Sequence, residues 1–218
     1  MLSMRRKPII LLSVIILLLL AGIFLTTTYS TIFDNKGKWE RVTILAGRHS
    51  YYHSFHILYD VDEIEFYFKT NDTWYYKEPE RNGWNKIHGF SFGNHHDQSS
   101  ARLVYKCVHD TLLLVGGYCW IDGVKPDDGV GQQAIIDTIE PNKTYHCRIK
   151  YEDNKFKFFF EDKYWECKAG QHENWGYLLE PYIGGVFTLD HDWYIDLKDV
   201  PVRKKNSFTD SSVLKEKN

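Results

Sequence analysis

The stretch Thr144–Glu161, TYHCRIKYEDNKFKFFFE, decides the fold. Cys147, Ile149 and Tyr151 are apolar at alternate positions, Glu152-Asp153-Asn154 interrupts, and Phe156, Phe158 and Phe160 resume the alternation. Successive side chains of an extended chain point to opposite faces, so each arm is a strand with one apolar side. A short polar connection between two such arms makes a hairpin. Folding it back sets Cys147, Ile149 and Tyr151 against Phe160, Phe158 and Phe156. That continuous apolar face must be covered by a second layer to leave water.

The same period of two recurs on both sides of this hairpin. Val42, Ile44 and Ala46 alternate with Arg41, Thr43 and Leu45, and Ile64, Phe66 and Phe68 with Glu63, Glu65, Tyr67 and Lys69. Trp84 to Gly93, Arg102 to Val108, Leu112 to Ile121 and Trp193 to Leu197 add further strands. Asn71-Asp72, Asn82-Gly83, Gly93-Asn94, Lys125 to Gly129 and Pro141-Asn142 supply turns between them. No helical stripe of a dozen positions occurs outside the N-terminal run, and no internal repeat suggests a propeller or solenoid. The fold class that follows is all-β: a two-sheet antiparallel β-sandwich of jelly-roll type.

Charge divides the 218 residues into three regions. Residues 1–30 hold Arg5, Arg6 and Lys7 without an acid; residues 203–218 are rich in Lys and read as a disordered tail. The domain between them, 31–202, carries 19 bases against 27 acids, a net of −8. An acidic body excludes nucleic acid as the partner, since phosphate binding needs clustered Lys and Arg. After the basic end, residues 8–25 are almost wholly apolar, the lower limit of a membrane-spanning helix. Basic residues stay on the cytoplasmic side, so the expected location is the cell membrane, single-pass, with the body extracytoplasmic. A signal peptide cut near Thr28 and Ser30, which would release a secreted body, is the competing reading.

Cys107, Cys119, Cys147 and Cys167 lie in the exported body, and no pair has the spacing of a zinc site. Three disulfide connectivities are open to them, as is the reading of four buried thiols.

Leu179-Glu180-Pro181-Tyr182-Ile183-Gly184-Gly185, followed by Asp190-His191-Asp192 and a closing strand, resembles the C-terminal part of bacterial concanavalin A-like jelly rolls. The runs HGFSFGNHH, SARLVY, YCWIDG and TYHCRI, at 88–96, 100–105, 118–123 and 144–149, are similar to stretches of small bacterial exported or membrane-anchored proteins. The superfamily holds lectins, glucanases and adhesion modules, so the resemblance implies a fold and no single chemistry.

Aromatic residues make up 16 % of the chain and give the leading functional candidates. Trp74, Tyr76, Trp84 and Trp120, with Asp122, form the expected carbohydrate-binding set: rings stack on the C–H faces of sugars and a carboxylate holds hydroxyls. The catalytic alternative is a glycoside hydrolase. Asp60, Asp62 and Glu65 reproduce the Glu-x-Asp-x-x-Glu spacing of jelly-roll glucanases, with an Asp where their nucleophile is Glu. A third reading is a protein–protein interaction module using an exposed sheet face. His53 with His56, His95-His96-Asp97 with Asn94, and Asp190-His191-Asp192 are the places where a metal such as Ca2+ would find donors. None has a recognisable ion-binding sequence, so no metal and no cofactor are expected. No Gly-rich phosphate loop and no Ser nucleophile elbow occurs.

Overall fold

The computed structural model describes residues 14–19, 37–53, 55–81, 83–124 and 133–201. The described residues form twelve strands. They are β1 (Glu40–Ile44), β2 (Ile57–Tyr59), β3 (Glu63–Lys69), β4 (Asn85–Phe92), β5 (Ser99–Val108) and β6 (Leu112–Ile121), then β7 (Gln133–Ile139), β8 (Thr144–Glu152), β9 (Lys155–Phe160), β10 (Lys163–Lys168), β11 (Trp175–Leu179) and β12 (Trp193–Asp199). They build two six-stranded sheets, ordered β1-β12-β3-β8-β9-β10 and β2-β11-β4-β5-β6-β7. Every pairing is antiparallel. The all-β sandwich expected from the alternation is the observed fold.

The β8–β9 hairpin has the register read from its sequence: Cys147 opposes Phe160, Ile149 opposes Phe158 and Tyr151 opposes Phe156. Asp153 and Asn154 both sit at positive φ, 55° and 58°, the backbone of a tight turn that short polar residues tolerate. In β3, Ile64, Phe66 and Phe68 are buried while Glu63, Glu65, Tyr67 and Lys69 are half-exposed. The first sheet thus presents a row of phenylalanines inward. The second answers with Phe90, Leu103, Tyr105 and Val115, all in the same buried cluster. Full burial of one such side chain is worth about 1.5–3 kcal/mol, which is why the phase of the alternation, once set, is hard to shift.

Cys119 on β6 and Cys167 on β10 form a disulfide that ties the second sheet to the first. Cys107 and Cys147 remain buried thiols. Four of the strands, β2, β7, β10 and β11, have no counterpart in the alternation noted above. They are short or irregular, and β7 joins β6 through a register shift.

Near the N-terminus residues 14–19 are helical. Among the described residues no helix is long and apolar enough to cross a membrane. The rest of the apolar run 8–25, the Lys125–Gly129 turn beyond Val124 and the tail 203–218 lie outside the described residues.

Candidate functional site

Trp74 is interior. Asn71 caps a 3-10 turn, Asp72–Trp74, its side chain accepting from Thr73 N at 2.9 Å and donating to Tyr194 O at 2.8 Å. This turn drives the Trp74 ring inward to meet Tyr105 at 4.4 Å and Trp193 at 5.4 Å, with its indole N–H on Tyr194 O at 3.1 Å. Tyr76 is also core: its hydroxyl accepts from Asn85 Nδ2 at 3.1 Å and from Cys107 N at 2.9 Å. Neither ring reaches solvent in a way that would let a sugar stack on it. The correction has a simple cause: a turn, not a continuing strand, sets the direction of these side chains.

Trp84 and Trp120 lie on the other side of the second sheet, in a small cluster with Val104, Leu114 and Tyr118. Trp84 is 8 % exposed and packs over Gly116, with Lys106 Nζ 4.6 Å from its ring centre. Trp120 is half-buried. Asp122 is exposed at a turn with φ 49°, its Oδ1 accepting from Gln171 N at 3.1 Å. Of the five expected ring and carboxylate residues, the structure therefore brings Trp84 and Trp120 onto one outer face and places Asp122 just past the end of β6.

Asp60, Asp62 and Glu65 each have a separate setting. Asp60 makes the turn after β2 at φ 52°. Asp62 pairs with His172 at 2.9 Å, and Glu65, on the outer face of the first sheet, with His146 at 2.8 Å. His95 pairs with Asp97 at 3.1 Å, His191 with Asp190 at 2.8 Å, and His56 with Glu180 at 3.0 Å. Among the described residues no group of three His, Cys, Asp or Glu side chains is arranged to hold a metal ion.

The outer face of the second sheet holds a different constellation. One cross-strand row runs Tyr177 (β11), Ser91 (β4), Ser100 (β5), Trp120 (β6). The next runs Gly89, Arg102, Tyr118, Gln133, and a third Lys86, Val104, Gly116. In the first row two rings stand at the ends of a trough about 14 Å across by strand spacing, with two buried serines beneath it and His96 within reach of both rings. Glycines at 89 and 116 keep the adjoining rows low as well. Tyr182, held by the bridge to Lys86, stacks on His49 with centroids 5.3 Å apart. Lys86 Nζ donates to Trp84 O and Gly184 O, both at 2.7 Å, and lies 5.7 Å from the Tyr118 ring and 5.6 Å from that of Tyr182.

Arg102 is the centre of this face. Its stem crosses Gly89, where a Cβ would stand 2.9 Å from Arg102 Cγ. Its Nε is buried without a hydrogen-bond partner, and so is the hydroxyl of Ser100 in the trough floor. Burial brings the guanidinium down to about 10, against the partial support of Tyr177, Tyr118 and Tyr182. It therefore stays charged at neutral pH. His96 is pushed below the ordinary histidine range by burial and then by the Arg102 charge. Its Nδ1 is 3.5 Å from the Tyr177 hydroxyl, and its ring lies edge-on to Trp120 at 6.2 Å.

Sequence reasoning singled out neither Arg102 nor its tyrosines. The available signal was phase: between the inward-facing Ala101 and Leu103, Arg102 must face outward, as surface arginines do. Its setting comes from β4, β6, β11 and the segment after β11, which are distant in sequence.

No family model matches this chain, and no curated protein matches it. The similarity to small bacterial exported proteins thus finds no named relative. Among solved structures, a marine PL7 alginate lyase, AlyA1 from Zobellia galactanivorans, is similar with a TM-score of 0.51 at 11 % identity, over 76 % of this chain and 78 % of that one. The carbohydrate-binding module CBM66 from Bacillus subtilis aligns at TM-score 0.35 and 14 % identity, over 77 % of this chain and 98 % of the other. A single-substitution variant of human galectin-16 aligns at 0.34 and 9 %, over 71 % and 93 %. The likeness to the lyase is one of fold alone.

Proposed function

We propose that this chain is an extracytoplasmic carbohydrate-binding β-sandwich, with the sugar held on the outer face of the second sheet. The observation that carries the reading is the outer face itself: Tyr177 and Trp120 stand at the two ends of one row with His96 near both rings, and Arg102 and Tyr118 share the next row. Flat rings at the margins suit the C–H faces of pyranoses, and the half-buried polar groups beside them, His96 and Arg102, suit their hydroxyls. The alginate lyase supports the architecture and assigns no role to any residue here. Export is supported by Arg5, Arg6 and Lys7 ahead of the apolar run and by the Cys119–Cys167 disulfide, a bond that persists in oxidising compartments. In this reading the apolar run holds the protein to the cell membrane.

Affinity electrophoresis of the purified full chain through gels loaded with neutral and acidic polysaccharides tests the reading. Retardation by at least one polymer, reduced tenfold or more by Trp120→Ala and by Tyr177→Ala, is expected. Trp39→Ala, in a residue whose ring lies 4.2 Å from Lys69 Nζ of the first sheet, leaves retardation unchanged. Loss of retardation in the Trp39 variant alone contradicts the reading, as does an absence of retardation by every polymer.

A further inference from the structure

A buried positive charge without a counter-charge is expensive, and folding normally pairs it or leaves it in water. Arg102 is half-buried, and among the described residues it has no ion-pair partner. Among the described residues no carboxylate bonds to it, and its neighbours on this face are the neutral tyrosines Tyr177, Tyr118 and Tyr182. The setting is the more pointed because the body as a whole carries an excess of eight acids. A second cation, Lys86, is held on the same face by two carbonyl oxygens. His96 feels the charges of both Arg102 and Lys86 as a force against its own protonation, and only Asp97 opposes them there.

Resting on the carbohydrate reading, we propose that the trough takes an acidic sugar and that Arg102 is the residue that recognises its anionic group. The guanidinium presents a planar fork of donors that matches two oxygens of one anion at once. Bound there, a sugar carboxylate or sulfate ester supplies the missing counter-charge, while the tyrosine hydroxyls donate to its outer oxygens and Trp120 stacks on the ring. A neutral sugar brings no charge to the outer nitrogens of the guanidinium, so the site discriminates by charge. Gly89 lets the stem lie flat across β4, which fixes the direction of the fork.

The test uses the purified full chain and two matched pairs of polymers: polygalacturonate with its carboxyl-reduced form, and dextran sulfate with dextran. Alginate and hyaluronan extend the carboxylate arm to other sugar stereochemistries. The expected result is binding to at least one anionic polymer, at least tenfold tighter than to its neutral counterpart, weakening with added salt. Arg102→Met, with an unchanged circular dichroism spectrum, loses at least tenfold of that affinity, and Arg102→Lys recovers part of it. Binding to the carboxylated polymers alone names a uronate; binding to dextran sulfate alone names a sulfated sugar. Equal binding of the members of each pair, with Arg102→Met without effect, overturns the assignment of Arg102 while leaving carbohydrate binding intact. Failure to bind any of the polymers, neutral or acidic, overturns both.

Discussion

Arg102 on β5 lies over Gly89 on β4, and a methyl group at position 89 would come within 2.9 Å of Arg102 Cγ and 2.1 Å of the carbonyl oxygen of Ala101. The absence of a side chain on one strand is therefore what lets a long one cross from the next. Gly89→Ala must push both the arginine stem and the β5 backbone. The expected cost is about 1–3 kcal/mol of stability, as for other overpacked sites, together with loss of acidic-polymer binding. Urea denaturation and gel retardation of the variant check the two effects separately.

Arg102 holds its charge half-buried, with Nε lacking a hydrogen-bond partner and, among the described residues, no ion pair. Replacing a buried, uncompensated charge by an apolar side chain of similar length removes a desolvation penalty. Arg102→Met should therefore raise stability, by about 1 kcal/mol or more, while it abolishes recognition of the anion. A thermal unfolding scan that shows a lower midpoint for Arg102→Met would mean the arginine is a structural strut.

Acid should tighten binding. His96 is held below its ordinary range by burial and by Arg102, so its neutral form is favoured at pH 7. A bound anion favours a proton on His96, and by linkage the proton favours the anion. Affinity for an acidic polymer should rise as pH falls through the His96 transition, as long as the polymer stays ionised. His96→Gln should flatten this dependence in a titration of affinity against pH.

Elsewhere in the sandwich the pH dependence has the opposite origin. His88 is 1 % exposed; burial, the largest single influence, favours its neutral form, but Asp199, 3.1 Å away, together with the charge of Glu180 and the Leu179 backbone, outweighs burial and raises it. A raised histidine contributes stability that is fully present below its unfolded value, about 6.5, and is lost as pH rises through the higher folded one. Glu180, lowered against its own burial by hydrogen bonds from His56 and Tyr51 and by the charge of His88, contributes above its unfolded value and loses that as pH falls through the folded one. Unfolding free energy measured from pH 5 to pH 9 should fall at the alkaline side, and His88→Phe should reduce that slope.

The disulfide offers a further check. Cys119 and Cys167 are 48 residues apart, and closing a loop of this size constrains the unfolded chain by about 4 kcal/mol. The double variant Cys119→Ala with Cys167→Ala should lose stability of that order. In the native wild type, the buried thiols Cys107 and Cys147, both raised by burial, should resist a thiol reagent; two thiols per chain should react once the protein is denatured.

The layers of this protein were legible in its sequence because they depend on local phase. The β8–β9 hairpin and the β3 alternation appear with the expected faces, and even the pairing of Cys147 with Phe160 follows from counting back from the turn. Trp74 shows the limit: a 3-10 turn capped by Asn71 breaks the period of two and sends the ring inward. Trp84 and Trp120 share an outer face because β4, β5 and β6 are neighbouring hairpin strands. Arg102 was hidden for the converse reason. Its tyrosines arrive from β6, β11 and the segment beyond, 16 to 80 residues later in the chain, and no local pattern announces that meeting.

Radical footprinting of the full chain, with and without the polymer it binds, tests most directly where the sugar sits. Labelling of Trp120, Tyr177 and Tyr182 should fall on binding, while that of Trp39, Tyr67 and Tyr164, which belong to the first-sheet side, stays constant. Protection confined to the latter three, with the trough residues labelled as before, would contradict the account.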